Sequence, residues 1–455
     1  MQLLPVNLFI VVTSLFFVTN PIPLSILGLF QLLICCWAIY KHSPVKLSLG
    51  IFFLVLLYFL HSGFGLLFLQ GYSFNEIESR NIYSLRDYGF AQVFTELSIL
   101  LYTEGYISKM KTGISKNYKR IEEVDSKYFW GFFFLCFPFY VASIVMTIDI
   151  ARESGYVATY SETRATSLFH YGSILINACI PMAVLLLIIN KKKVAICKFL
   201  AIIMLLLSVY SMTSGQRIIP ITGLLALGII YFNVVSRFSK RTILIISFFF
   251  VLLIVFMPMI TALRTYGNVD VEHMAETYKE MKTIEEDGFM YNFIHEFGNT
   301  VISLIVPMTR TGESASYSFG LTYLFAPLSL SPKLPLDLVE SDIYRDAMYF
   351  ITRYPEAKVI NFGGSILGES YANLGWLGIC VFLLIGRLVK YVDYSINMAR
   401  NGYVSYTSLL LIFIIPGLLR WTRDGILIVI GFIFIVLYFL WSFSLNKKHF
   451  NNLLS

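Results

Sequence analysis

An all-α, polytopic integral membrane protein of about twelve transmembrane helices, with one long extracytoplasmic loop, is the fold class that three features of the sequence predict. Of the 455 residues, 57% are hydrophobic and only 14% charged, with a mean hydropathy of +0.71. A soluble domain carries roughly 25% charged residues, so a water-solvated surface is hard to build from this chain. The apolar residues also come in uninterrupted blocks such as 242–260 and 427–443. Such blocks match the ~20 helical residues that cross a ~30 Å hydrocarbon core. The third feature is a single insertion of about 100 residues, 263–364, among otherwise short connections; a loop of that length in a compact protein is functional or disordered.

Taken in order, spans are expected near 3–19, 22–40, 47–69, 91–107, 128–148, 167–190, 194–213, 218–235, 242–262, 366–386, 404–420 and 425–443. The first lacks a basic flank and a small-residue cleavage site, so it reads as a span rather than a signal peptide. The fourth is the weakest, because it contains Glu96 and Glu104. All six cysteines lie inside apolar blocks, where no disulfide is expected, and no CxxC or Cys/His cluster points to zinc. The expected organisation is therefore spans one to nine over 1–262, the long loop over 263–364, and spans ten to twelve with a tail over 365–455.

Charge sets the orientation. The side carrying both termini, with the linkers 41–46, 108–127, 191–193, 237–241 and 387–400, holds 15 Lys and 5 Arg; the opposite side holds 4 Lys and 11 Arg. The positive-inside rule, counted over short loops, puts both termini in the cytoplasm. The formal charge of +7 is this bias, and charges dispersed among spans do not make a nucleic-acid surface. The outer bases are mostly arginine, whose planar fork grips phosphate oxygens in two places. Snorkelling at the interface is the plainer explanation for any single one. Taken together, the asymmetry points to a phosphate-bearing ligand on the outer face.

Within the long loop, 271–287 reads as an exposed amphipathic helix stopped by Gly288, and 289–308 as a helix lying in or dipping into the interface. Residues 318–338, with three prolines, read as an irregular docked segment, and 341–354 as a short helix capped by Ser341. Tyrosines recur there, Tyr266 and Tyr323 among them; their rings stack on sugars, although membrane interfaces also enrich tyrosine.

Four outer-face motifs carry the groups that bear on chemistry. TSGQR (213–217) presents Arg217 in a tight turn, and LRTYG (263–267) presents Arg264 as it leaves span nine. GGSILGESYANLGWLG (363–378) places Glu369 at the mouth of span ten, and LLRWTRDG (418–425) places Arg420, Arg423 and Asp424 between the last two spans. Charged groups near membrane depth line cavities or pair with one another. A local ion pair accounts for Arg423 and Asp424, and a partnership with one of the arginines accounts for Glu369, as readily as a catalytic role does.

SGQR before an apolar span, a long outer loop with HEFG and FGLTYL, and then GGSxxGExYANLGxxG together resemble the O-antigen polymerase (Wzy) family, over roughly residues 210–425. The family's Arg-x10-Gly pattern occurs at 217–228, 353–364 and 420–431. The resemblance implies a GT-C-like membrane enzyme that joins undecaprenyl-diphosphate-linked oligosaccharide repeat units at the outer face of the cytoplasmic membrane. Membrane lipids and a chain-length regulator are its further partners to consider. A lipid diphosphate is already a good leaving anion, so fixed positive charge, rather than a general acid, is what helps. Arg217, Arg264, Arg420 and Arg423 are the first candidates for it, with Arg310 and Arg353 also in the loop. The acceptor hydroxyl needs a base, and Glu369 stands first, ahead of His295 and Asp424. No cofactor is called for, and a metal-independent reaction is expected. Two other readings share the substrate, an O-antigen ligase with a different acceptor and a flippase. A flippase would place ionisable groups along a path through the spans, and Glu96 and His170 are the main ones there.

Overall fold

The computed structural model describes residues 3–78, 83–109, 119–120, 127–154, 183–184, 186–188, 193–212, 218–235, 244, 289–312, 315–325, 354, 364–426, 429–430 and 433. These residues are helical apart from short connections, an isolated bridge between Thr311 and Ala315, and one two-residue antiparallel pair.

The helices α1 (Leu3–Phe16), α2 (Pro21–His42) and α3 (Leu49–Ser62) take up the first three expected spans. Proline opens α2, where its missing N–H costs nothing, and Lys41 and His42 close it against the negative end of the helix dipole. The third span is interrupted at Gly63 and resumes as α4 (Phe64–Leu69), followed by the single turn α5 (Phe74–Ile77). The fourth span is the 23-residue α6 (Leu85–Ile107), started by a Ser84–Asp87 capping box. Next come α7 (Lys127–Ser154), α8 (Val194–Met212) and α9 (Ile218–Ile230), which ends in a π-turn over Tyr231–Val235. The long loop contributes α10 (Phe289–Gly298), a 3-10 turn, α11 (Ile302–Arg310) and α12 (Leu321–Phe325). Glu369 lies on α13 (Ile366–Leu374), which a 3-10 turn at Gly375–Gly378 joins to α14 (Ile379–Arg400); α15 (Tyr406–Phe413) and α16 (Ile415–Trp421) follow.

Among the described residues, three helical stretches are long and apolar enough to cross a membrane: Pro21–His42, Val194–Met212 and Ile366–Arg400. Shorter apolar helices cover Leu4–Phe16, Leu49–Ser62 and Pro220–Val235. Their polarity is inverted relative to a soluble protein. On α1, Asn7 and Ser14 are fully buried whereas Phe9 and Phe16 are 72% and 82% exposed; α2 buries Gln31 and turns Phe30, Leu33 and Trp37 outward. Apolar rims around polar interiors fit a hydrocarbon solvent.

Two expectations for the chain change here. The 387–400 stretch, read as a cytoplasmic linker, is the second half of α14, because Val389, Val392, Asp393 and Ile396 recur at helical spacing and are buried. The 289–308 helix, expected in the interface, instead enters the bundle. Residues Ile302–Pro307 of α11 are buried, and α11 packs on α13 and α6. Gly63 and Gly298 make that entry possible, since a Cβ on Gly63 would lie 3.3 Å from the Gly298 Cα. The expected elements at 271–287 and 434–443 fall outside the described residues, as do the spans at 167–190 and 242–262 and the helix at 341–354 apart from 183–184, 186–188, 244 and 354.

Of the segments assigned by charge to one side, 108–127 and 387–400 meet, and contacts between neighbouring span ends accompany them. Asn233 pairs with both backbone groups of Leu47 (3.2 and 2.8 Å), the Lys390 Nζ donates to the Ser108 carbonyl (2.7 Å), and β1 (Lys119–Arg120) pairs with β2 (Tyr403–Val404). Asp393 fastens this end. Its carboxylate accepts from the Ser48 and Tyr106 hydroxyls (both 2.6 Å) and from the amides of Leu49 and Gly50 (2.9 and 3.3 Å), closing the start of α3.

The central contact is α6 against α14, where two glycines bring the backbones together. A Cβ on Gly386 would run into the Tyr102 carbonyl oxygen, and one on Gly105 into the Leu383 carbonyl oxygen. Gly386→Ala and Gly105→Ala are therefore each expected to abolish a monodisperse peak in size-exclusion chromatography of detergent-extracted protein. Gly228→Ala, within α9 and with nothing within 4 Å of the added carbon, is the matched control. It should leave the peak intact, with helix stability raised by up to ~1 kcal/mol. Equal tolerance of all three would remove the close-approach argument.

Candidate active site

Glu369 sits in the first turn of α13, directly after Gly368. The helix is started by Ser365, whose hydroxyl accepts from the Gly368 amide at 3.0 Å. The carboxylate is 2% exposed. Its Oε2 accepts from the Ile426 amide (2.9 Å) and the Trp421 indole N–H (3.3 Å), whereas Oε1 has only the Thr322 hydroxyl at 3.5 Å. One oxygen is thus held in place and the other is left with a weak contact. No arginine among the described residues forms an ion pair with it.

Two segments cover this carboxylate, one from each side of α13 in sequence. The first comes from the long loop. Amides of Ser318 and Phe319 donate to the carbonyls of Ala372 and Asn373 (3.0 and 2.9 Å), and the Gly320 amide donates to the Asn373 Oδ1 (3.0 Å). The Asn373 amide group then donates to Thr322 Oγ1 (2.7 Å) and back to the Glu369 carbonyl (2.8 Å). Asn373, one turn after Glu369, is the clip that sets Thr322 over the carboxylate. Phe319 adopts φ 49° and Gly320 φ 83°, so two successive left-handed residues turn the chain onto α13. Tyr323 follows Thr322. Its hydroxyl oxygen is buried with no hydrogen-bond partner among the described residues, and burial, with the Glu369 carboxylate adding to it, holds that hydroxyl well above the ordinary tyrosine pKa.

The second covering segment is the turn after α16. Residues 421–426 supply Trp421 and the Ile426 amide, and a Cβ on Gly425 would lie 3.7 and 3.8 Å from the two carboxylate oxygens. In the same turn Arg420 Nε donates to Asp424 Oδ2 at 2.6 Å, both side chains about one-fifth exposed. The amides of Arg423 and Asp424 both donate to the Arg420 carbonyl (3.0 Å each). The local ion pair anticipated in this turn therefore involves Arg420 and Asp424, and Arg423 is half-buried beside it.

The sequence candidates divide accordingly. Glu369, Tyr323, Arg420, Arg423 and Asp424 come together although more than 100 residues separate the first from the last of them. His295 lies elsewhere, on α10, stacked against Phe64 and Tyr291 (ring centroids 5.4 Å in each case), with Nε2 3.0 Å from the Ile77 carbonyl oxygen. Arg310 is exposed at the end of α11, where its carbonyl accepts from the Ala315 amide at 3.3 Å. Arg217, Arg264, Arg353 and Tyr266 lie outside the described residues. Sequence reading missed Thr322, Asn373 and Trp421. Asn373 stands four residues after Glu369 in ESYAN and Trp421 lies between the arginines in RWTR, so helical spacing and adjacency were the available signals.

Removing the clip should free the loop segment without disturbing α13. Asn373→Ala deletes three hydrogen bonds at a buried position, a cost of about 1–3 kcal/mol concentrated on 315–325. Faster proteolytic cleavage within that segment, at unchanged overall unfolding temperature, is the expected result. Unchanged cleavage would mean that Asn373 does not hold it.

Across the chain, the family profile described as O-antigen polysaccharide polymerase Wzy matches residues 3–449. No curated protein and no solved structure matches the chain.

Proposed function

This chain belongs to the O-antigen polysaccharide polymerase Wzy family, and on that premise we propose how its outer-face carboxylate and arginines serve the reaction. The protein is a multi-pass inner-membrane O-antigen repeat-unit polymerase that acts on lipid-linked oligosaccharides.

Glu369 is the base. In the transfer, an acceptor sugar hydroxyl attacks the anomeric carbon of the growing chain, and the bond from that carbon to the lipid diphosphate breaks. The electron pair of that bond leaves with the diphosphate, and the hydroxyl proton passes to Glu369 Oε1. The observation that carries this reading is the unequal bonding of the two carboxylate oxygens, Oε2 held by two N–H donors and Oε1 by one long contact. A base needs one oxygen oriented and the other open to the proton. Burial strengthens both the base and any charge placed near it. Access for the acceptor requires the 318–325 segment to lift, which fits its attachment through a few hydrogen bonds around Asn373.

Arg420 and Arg423 hold the diphosphate, joined by Arg217, Arg264, Arg310 and Arg353 from the outer loops. The Arg420–Asp424 pair keeps a guanidinium oriented at the rim, and Asp424, thus engaged, serves as its anchor rather than as a second base. Tyr323 and Tyr266 contact sugar. His295, stacked between two rings, positions α10 against α4. The chemistry needs no metal, since fixed guanidinium charge stabilises the departing diphosphate. Both termini lie in the cytoplasm, with 263–364 outside between the 1–262 and 365–455 membrane parts, and a chain-length regulator works beside the enzyme.

Glu369→Gln keeps the shape but loses the basic oxygen. In a deletion strain it should leave lipopolysaccharide with single repeats only, at normal protein abundance, because a general base contributes ~100 to 10,000-fold. A normal ladder of lengths would make Glu369 a structural strut between α13 and the 421–426 turn. Arg423→Lys, which keeps charge without the two-pronged fork, should shorten the ladder. Orientation is checked separately: reporters fused near Lys192 and at the carboxyl terminus should report cytoplasm, and one near Thr422 the outside. A cytoplasmic signal at 422 would remove the arginines from the side where the diphosphate is presented.

A further inference from the structure

A second buried carboxylate lies in the middle of α6, in surroundings very different from those of Glu369. Glu96 is fully buried. Its Oε1 accepts from the Gln92 Nε2 at 3.3 Å, and Oε2 has no hydrogen-bond partner among the described residues. Gln92 in turn accepts from the Tyr88 hydroxyl at 3.0 Å, so one face of α6 carries a short polar chain that ends at the carboxyl.

Three other helices bring oxygens to the same place. Gln31 of α2 donates through Nε2 to the Glu96 backbone carbonyl (3.0 Å), which leaves its Oε1 without a partner among the described residues. Ser14 of α1 faces the carboxyl, and its hydroxyl also lacks a hydrogen bond of good geometry. From α3 comes Tyr58, its hydroxyl buried and likewise without a partner among the described residues. Gly28 keeps the space between them clear, since a Cβ there would lie 3.1 Å from both Glu96 Oε1 and the Tyr58 hydroxyl and 2.5 Å from Gln92 Nε2.

We propose that this cluster binds one small monovalent cation, a proton or a sodium ion, with Glu96 as its single anionic ligand. An uncompensated carboxylate at membrane depth costs several kcal/mol, and buried charges are paired or neutralised. No side chain among the described residues forms an ion pair with Glu96. Helix α1 carries no titratable group between Leu3 and Phe16, and α2 offers Cys35 and Cys36 before its terminal Tyr40, Lys41 and His42. On α3 the titratable groups are Tyr58 and His61; the His61 Nδ1 is taken by the Leu57 carbonyl (2.9 Å), and its Nε2 is buried with no partner among the described residues, Glu96 included. Besides Tyr88, the remaining titratable groups on α6 are Arg86 and Asp87 in its first turn, Arg86 over the Phe90 ring (5.5 Å) and Asp87 bonded to Ser84, and Tyr102, Glu104 and Tyr106 further along. One negative charge among neutral hydroxyl and amide oxygens suits a hard monovalent ion, not a divalent one. No group of His, Cys, Asp or Glu among the described residues gathers as transition-metal ligands would.

Dicyclohexylcarbodiimide, an apolar reagent, tests the site on the purified full-length protein in detergent. It adds to a protonated carboxyl to give an N-acylurea with no atom lost, and mass spectrometry locates the adduct. Labelling of Glu96 is expected. A sodium site gives protection by NaCl but not choline chloride, about tenfold at ten times the dissociation constant. A proton site gives labelling that falls as pH rises and ignores sodium. Absence of labelling, or labelling indifferent to both, overturns the proposal. Glu96→Gln should abolish the adduct and, where that variant folds, any sodium or pH dependence of the unfolding temperature. A folded Gln variant that keeps the wild-type dependence also overturns it.

Discussion

The crossing of α6 over α14 is the contact on which the rest of the arrangement depends. Lipid gives helices no hydrophobic reason to associate, so close backbone approach and dispersion must supply the attraction. Gly105 and Gly386 provide that approach by leaving carbonyl oxygens of the partner helix where side chains would otherwise stand. Everything nearby takes its place from this crossing. Because α14 runs on from α13 through a single 3-10 turn, the crossing fixes where Glu369 stands. At the other end of α14 it brings Asp393 to the start of α3, and along α6 it leaves the opposite face to meet α1, α2 and α3 around Glu96.

Three carboxyl groups in this apolar bundle differ in how fully their oxygens are satisfied, and the roles proposed for them follow that difference. Asp393 accepts from four donors and has no capacity to spare, which makes it a fastener. Glu369 has one oxygen secured by two donors and one nearly open, which is the asymmetry proton transfer requires. Glu96 has a single long contact and, among the described residues, no ion-pair partner, which is the basis of the cation site proposed there. Each missing hydrogen bond at such depth costs about 1–3 kcal/mol, so these differences are not incidental.

Much of this was legible in the sequence. Long apolar blocks gave the helices, and two of the segments that the lysine–arginine asymmetry grouped, 108–127 and 387–400, meet through Ser108 and Lys390. GGSILGES marked Glu369 and LLRWTRDG marked the turn beside it, because charges in apolar surroundings stand out. Other features were hidden for physical reasons. Hydropathy placed the end of span ten at Lys- and Arg-bearing residues, whereas burial of alternate turns carries the helix on to Arg400. The 289–308 stretch read as interfacial because sequence cannot distinguish a lipid interface from a neighbouring helix as the apolar partner. The stacking of His295, the candidate base ranked behind Glu369, between Phe64 and Tyr291 was also hidden, because no local pattern marks a ring contact across the chain. The clip made by Asn373 involves neutral groups and long-range pairing, which leave no compositional trace.

The central claim is that one outer-face pocket holds both the lipid diphosphate and the acceptor hydroxyl, around Glu369 and the 420–426 turn. An experimental structure with a lipid-linked repeat unit bound tests it most directly. The account predicts diphosphate oxygens within hydrogen-bond reach of the Arg420 or Arg423 guanidinium, and a sugar hydroxyl about 2.6–3.2 Å from Glu369 Oε1, with the 318–325 segment displaced from α13. A diphosphate bound at the Asp393 end of the bundle, or a repeat unit seated with Glu369 still sealed beneath Thr322, would contradict it.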